Sequence, residues 1–188
     1  LNFEALNHLQ YHLSAVDLLL ERAASRAELA GHDPTDALRG LVITRDEAER
    51  QLSLNGMAGQ WDAAAQSEEG YFEPELVELP DLTIAPQSPL AHLMEQLGLS
   101  LLDAWILLVA AAPELNYRYE RLYGYLQDDV TLRRPTVNLA MNLLGSSSEQ
   151  RLMVWSRLNS GSPLRRWQVI DMSSDPGRPN ANQLTATL

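Results

Sequence analysis

The sequence predicts a mainly α-helical chain that closes on a β-hairpin. Three observations carry that expectation: an apolar seam near the start that recurs every three or four residues, a dense succession of helix-capping signals between Ser88 and Leu158, and a switch to two-residue alternation after Arg165.

The seam comes first. Leu6, Leu9, Leu13, Val16, Leu20, Ala23 and Ala27 alternate steps of three and four, and Gly31 with Asp33-Pro34 closes the helix. Each large side chain of such a seam would cost about 1.5 to 3 kcal/mol if left in water, so the helix must dock on something. Its taper from Leu to Ala suits close packing inside the same chain better than a uniform two-stranded zipper, and the expectation is a monomer. His8 and His12 stand four apart on this helix, the spacing of a two-histidine metal face. No Glu follows His8 and no third ligand is evident, so no metal site is assigned. Gly40 to Ile43 is a short apolar run that reads as a strand, and Thr44 to Glu47 is a capping box that launches a helix to about Leu54.

Charge divides the chain into three zones. Residues 1–54 hold 9 acidic and 5 basic groups, residues 55–89 hold 7 and 0, and residues 90–188 hold 9 and 9. The middle zone, with Pro74, Pro80, Pro86 and Pro89 among its carboxylates, reads as an extended acidic linker. The organisation expected is therefore a helical region over 1–54, a linker over 55–88, and a last domain over 89–188 that is cut short at its C-terminal end.

The last zone is dense with signals. Ser88-Pro89 supplies an N-cap and an N1 proline for a helix to Leu97, which Gly98 stops. Ser100 to Asp103 caps the next helix, Leu101 to Ala112, apolar all round except for Asp103 and ended by Pro113; it should be the buried centre of the domain. A helix from about Asn116 to Leu126 aligns Leu115, Tyr119, Leu122 and Leu126 on one face. Pro135 opens and Gly145 stops another, with Val137, Ala140, Met141 and Leu144 inward, and a capping box over Ser146 to Glu149 leads a helix to about Leu158. Trp167, Val169 and Asp171 then alternate with Arg166, Gln168 and Ile170, and Leu184, Ala186 and Leu188 alternate with Thr185 and Thr187, across a turn-rich stretch from Ser173 to Asn182. A helical bundle followed by a hairpin is a winged-helix-like arrangement.

Composition narrows the function. A net charge of -11, with all 14 basic residues Arg, argues against nucleic acid or an anionic membrane as the main partner, because both are bound largely by cationic neutralisation of phosphate. With 0 Cys there is no disulfide framework and no thiol chemistry, which fits a reducing cytoplasm. Leu93 to Ser100 has the helix, glycine turn and helix start of a helix-turn-helix, but a second helix of Leu, Ala, Trp, Ile and Val has nothing to offer base edges. No phosphate-cradling loop, nucleophile elbow or metal cluster is present, and Leu126 to Asp129 echoes an acidic magnesium motif only faintly, since it follows a helix. The chain is expected to be non-catalytic, with no cofactor of its own. Tyr117, Tyr123 and Tyr125 fall away from the Leu115/Tyr119/Leu122/Leu126 stripe, and with Asp128, Asp129, Arg133 and Arg134 they form the candidate partner-binding surface, Tyr and Arg being the residues of interface hot spots. The competing expectation is that the rings are core and the charges a loop held by its own ion pairs.

The run Ala112-Pro113-Glu114-Leu115-Asn116-Tyr117-Arg118-Tyr119-Glu120-Arg121-Leu122-Tyr123-Gly124-Tyr125-Leu126-Gln127-Asp128-Asp129-Val130, followed by Arg134-Pro135-Thr136, resembles the N-terminal winged-helix region of a group of bacterial AAA+ ATPases. The similarity extends over Pro89 to Leu144, back to Arg39 to Ile43 and forward to Pro163 to Trp167. The resemblance implies a region that holds a client or adaptor protein, while a separate ATPase module, which forms a ring and carries ATP and Mg, does the mechanical work. None of that module's motifs lies in these residues, so no nucleotide site is carried over. The alternative is a transcriptional regulator of winged-helix type.

Overall fold

The computed structural model describes residues 3–29, 79–175 and 178–187. Within them lie seven helices and two strands: α1 (Phe3–Leu29), α2 (Pro89–Leu97), α3 (Leu101–Leu115), α4 (Arg118–Leu126), α5 (Val137–Leu144), α6 (Ser148–Ser156), α7 (Pro163–Arg166), β1 (Ile170–Asp175) and β2 (Arg178–Ala186). The run at 40–43, the helix expected to reach Leu54 and the acidic stretch as far as Glu78 lie outside the described residues.

The core is built around α3. Every residue from Asp103 to Pro113 is buried, as an all-apolar helix requires. Its start is the capping box read from the sequence: the Ser100 hydroxyl accepts the Asp103 amide at 3.2 Å, and an Asp103 carboxylate oxygen accepts the Ser100 amide at 2.8 Å. The same carboxylate, with no solvent exposure, is paired to the Arg157 guanidinium just beyond α6. Burial by itself would raise the Asp103 pKa, but the Arg157 and Ser100 hydrogen bonds outweigh it and hold the group below its ordinary value.

The end of α3 departs from expectation. Pro113 lies inside the helix, which continues to Leu115. A proline there has no amide to give the carbonyl of Val109, and an unpaired carbonyl in the core is costly. The Tyr123 hydroxyl fills the gap, donating to the Val109 oxygen at 2.8 Å from the facing helix α4. Tertiary contact thus replaces the missing helical hydrogen bond, and the helix survives its proline.

Other local signals form as read or within one residue of it. Gly98 ends α2 in the left-handed region at φ 64°, and the Ser88 hydroxyl caps α2 by accepting the Ala91 amide. Thr136, rather than Pro135, is the N-cap of α5, so the proline stands just outside the helix. The second capping signal is shifted by one residue: Ser147 is the N-cap of α6, its hydroxyl accepting the Gln150 amide at 3.1 Å, while the Gln150 side chain accepts from Ser146.

Helix α1 docks on this core. His12, Ala15, Val16, Leu19, Leu20, Ala23 and Ala27 are buried, a broader stripe than the sequence seam, and α1 packs against α3, α4 and α5. Asp17 locks it down: its carboxylate takes the Arg118 guanidinium at 2.5 Å and the Tyr119 hydroxyl at 2.8 Å. Leu82 is buried in the same core, with Leu79 and Ile84 packed against it.

The tail also differs in detail. Pro163–Arg166 forms one helical turn, and the first strand begins only at Ile170. Alternation at Trp167 and Gln168 does not make a strand because Gln168 has φ 54°, which breaks the extended backbone. The hairpin instead extends into the turn-rich stretch, pairing Ile170 with Ala186, Met172 with Leu184 and Ser174 with Asn182. Ile170, Leu184 and Ala186 share the face that packs on the bundle. A bridge between Thr136 and Gln183, with the Leu184 amide donating to Pro135 at 2.8 Å, ties the start of α5 to β2.

Gly145 joins α5 to α6 and has no room for a side chain. A Cβ there would meet the Arg151 amide nitrogen at 2.8 Å and two Arg151 carbons at 3.0 Å. Gly145→Ala is expected to cost about 2 kcal/mol through this overpacking, a fall of roughly 4 to 8 °C in Tm for a chain of this size. Thermal denaturation followed by circular dichroism measures it, and an unchanged Tm would show that the turn can open.

Candidate functional site

The order α5, tight turn, α6, the single turn of α7 and then the hairpin, with the start of α5 bridged to β2, identifies the helix that occupies the reading position of a winged helix. It is α6. The sequence motif at Leu93 to Ser100 does form a helix, glycine turn and helix, but its second helix is the buried α3. The test of DNA-reading chemistry therefore belongs on α6, where sequence reasoning did not apply it.

Helix α6 turns an apolar face outward. Leu152 and Met153 are 49% exposed and Trp155 is 52% exposed, beside Ser148, Glu149 and Ser156. Its one cation points in: Arg151 is 5% exposed and donates to Asn142 and, at 3.5 Å, to Asn138 on α5. The side chain that would serve a phosphate or a guanine is spent on joining the two helices. Past α7, Trp167 is 52% exposed with the Arg166 guanidinium 5.4 Å from its ring centre.

The residues singled out from the sequence divide between core and surface. Tyr123 is a correction: it is fully buried, its hydroxyl is committed to Val109, and burial pushes its phenol pKa well up, so it is a neutral core donor. It lies 6.3 Å, centre to centre, from the ring of Tyr119, which is likewise buried. The expected stripe shifts accordingly, to Tyr119, Tyr123, Gly124 and Leu126, with Leu115 and Leu122 partly in solvent. Tyr125 packs partly against the core, and its buried hydroxyl finds no hydrogen-bond partner among the described residues. Of the three tyrosines only Tyr117, 73% exposed, presents its ring to solvent.

The charged members belong to the loop from Gln127 to Thr136. Asp129 accepts from the Thr131 amide at 2.9 Å and the Thr131 hydroxyl at 2.6 Å. Arg134 pairs with Glu114 at 2.6 Å and reaches the Thr185 hydroxyl at 3.0 Å, and Arg133 lies 3.8 Å from Glu120. Asp128 has φ 53°, a left-handed turn residue. Gln127, which the sequence did not single out, organises the loop: its amide nitrogen donates to the Leu132 and Arg134 carbonyls at 3.1 and 3.0 Å, and its amide oxygen accepts from Thr136 at 2.9 Å. Gly124 lets the loop lie against α4, since a Cβ there would come within 3.3 Å of the Asp129 oxygen and the Val130 Cα. Between this loop and α4 opens a cleft of about 350 Å³ lined by Tyr117, Glu120, Arg121, Gly124, Val130 and Arg133. The structure thus brings Tyr117 and Arg133 together there and leaves Tyr123 in the core.

Among the described residues no helix is long and apolar enough to cross a membrane, and no three metal-ligating side chains converge. No curated protein and no solved structure matches the chain. A family model described as "Winged helix domain, variant" matches residues 4–188, taking in α1 as well as the bundle and hairpin. The chain belongs to this winged-helix family, a class that supports DNA-binding or regulatory roles.

Proposed function

We propose that this winged helix works by binding protein, as the partner-recognition and assembly region of an AAA+ type ATPase, rather than by reading DNA. The outward face of α6 carries the proposal: Leu152, Met153 and Trp155 stand where a DNA-reading helix offers Arg, Lys, Asn or Gln. Exposed aromatic and aliphatic side chains beside few charges are the composition of a protein interface core. The overall charge of -11 supports the same reading, since few phosphates would be neutralised. The resemblance of Pro89 to Leu144 to the winged-helix region of bacterial AAA+ ATPases adds the context. In that reading ATP and Mg bind in a separate module, a client or adaptor is held here, and the chain itself is non-catalytic.

Two measurements test it together. Fluorescence anisotropy of a labelled random 20-base-pair duplex at low salt should stay flat on titration with this chain, and calorimetry with MgATP should show no binding heat. A saturable, steeply salt-sensitive rise in anisotropy that is lost in Trp155→Glu would establish α6 as a DNA-reading helix and return the transcriptional regulator. Micromolar MgATP binding would overturn the division of labour.

A further inference from the structure

We infer that the cleft between α4 and the Gln127–Thr136 loop binds an acidic, leucine- or valine-bearing peptide segment of a partner protein. The inference rests on the protein-binding reading above but concerns a surface separate from the residues of α6.

The cleft joins two kinds of recognition. Its apolar part is Tyr117, 73% exposed, and Val130, 86% exposed. Val130 follows directly on Asp129, whose amide donates to the Gly124 carbonyl at 2.9 Å, so the loop that displays it is pinned to α4. Its polar part is cationic. Three arginines around α4 have carboxylate partners: Arg118 with Asp17 at 2.5 Å, Arg134 with Glu114 at 2.6 Å, and Arg133 loosely with Glu120 at 3.8 Å. Arg121 lines the cleft, is exposed, and has no ion pair among the described residues. Arg133 keeps 72% of its side-chain surface in water, so its guanidinium is also open to a second carboxylate.

Charge complementarity selects the occupant. The cleft carries two guanidiniums against one carboxylate, in a chain whose net charge is -11. A basic segment would be repelled by Arg121 and Arg133, and an uncharged one would leave Arg121 without a carboxylate. A Glu or Asp side chain accepts a forked pair of hydrogen bonds from a guanidinium, and a neighbouring Leu or Val fills the space between Tyr117 and Val130. A volume of about 350 Å³ accommodates one or two side chains, not a folded domain. The partner therefore presents an extended or singly turned segment with an acidic residue beside an aliphatic one.

The probe is a fluorescein-labelled peptide, Gly-Glu-Leu-Glu-Glu-Val-Glu-Gly, titrated with the chain, together with the same peptide carrying Gln for every Glu. Saturable binding of the acidic peptide is expected, with at least about tenfold weaker binding of the Gln peptide and of the Arg121→Glu variant to the acidic peptide. Arg121 is solvent-exposed, so this variant should keep the wild-type Tm, and Val130→Ser gives a second test through the apolar part. Amide NMR shifts caused by the peptide should map to Tyr117, Arg121, Gly124, Val130 and Arg133. Equal affinity for the Gln peptide, no saturable binding of either, or shifts centred on Leu152 and Trp155 would each overturn the proposal. So would a dimer of this chain abolished by Arg121→Glu, which would make the cleft a self-association surface. The shifts on α6 would still leave the protein-binding reading standing, whereas salt-sensitive DNA binding would remove that reading first.

Discussion

Replacing Tyr123 by alanine should lower stability by about 3 to 5 kcal/mol, because a fully buried ring is removed from between α3 and α4. Tyr123→Phe separates the hydroxyl from the ring. It leaves the buried Val109 carbonyl without its donor and should cost about 1 to 3 kcal/mol. The origin of that cost is Pro113, so the two sites should be coupled. Pro113→Ala restores a backbone amide to Val109, and in that background Tyr123→Phe should cost markedly less. Urea denaturation of the four proteins of this cycle measures the coupling. Additive effects would show that the hydroxyl does not serve the carbonyl left vacant by the proline.

Asp103→Ala should cost about 3 kcal/mol, or roughly 6 to 12 °C in Tm. One carboxylate with no solvent exposure caps α3 through Ser100 and pairs with Arg157. The estimate stays at the low end of the 3 to 5 kcal/mol typical of a broken buried pair, because Arg157 keeps 32% of its side-chain surface exposed and turns to water when its partner is lost. Asp103→Asn retains an acceptor for the cap and should cost about half as much. The pH dependence has a definite sign. The folded chain holds the Asp103 proton less tightly than the unfolded chain, so the contribution is present above the unfolded value near 3.8 and is lost as pH falls through the lower folded value. Acid titration of stability should therefore show a component that sets in as pH falls past about 3.8 and is missing in Asp103→Asn.

The sequence was most legible where the physics is local. Ser88, Gly98 and the Ser100/Asp103 box are caps whose partners lie within three or four residues, and each forms as read. Pro113 was misread because the rule that proline ends a helix assumes an unaided helix, and the aid comes from ten residues further on. The same blindness hid Tyr123. A helical wheel built on Leu122 and Leu126 places that tyrosine outside, but the missing amide on α3 draws the polar-tipped ring inward and rotates the buried face of α4 by one position. Fold order had the largest consequence for function. The clearest helix-turn-helix spacing belonged to α2 and α3, whereas the pair that leads to the hairpin is α5 and α6, whose join the sequence marked at Gly145 and Ser146 without showing that it precedes the wing. The Gln127 clamp carried no signal at all, because a glutamine that bridges three backbone groups looks like any surface glutamine until the loop is closed.

The docking of α1 sets a schedule for synthesis. Asp17 meets Arg118 across 101 residues of chain, and at ribosomal rates of about 5 to 20 residues per second that is roughly 5 to 20 s between the two. Throughout that interval the leucine and alanine face of α1 is complete and has no core to join. The native contacts of the first helix are thus among the last to form, and the long loop that they close slows the search. The nascent chain is most vulnerable to aggregation and proteolysis before α4 leaves the ribosome, and a chaperone that holds amphipathic helices would act on it in that window.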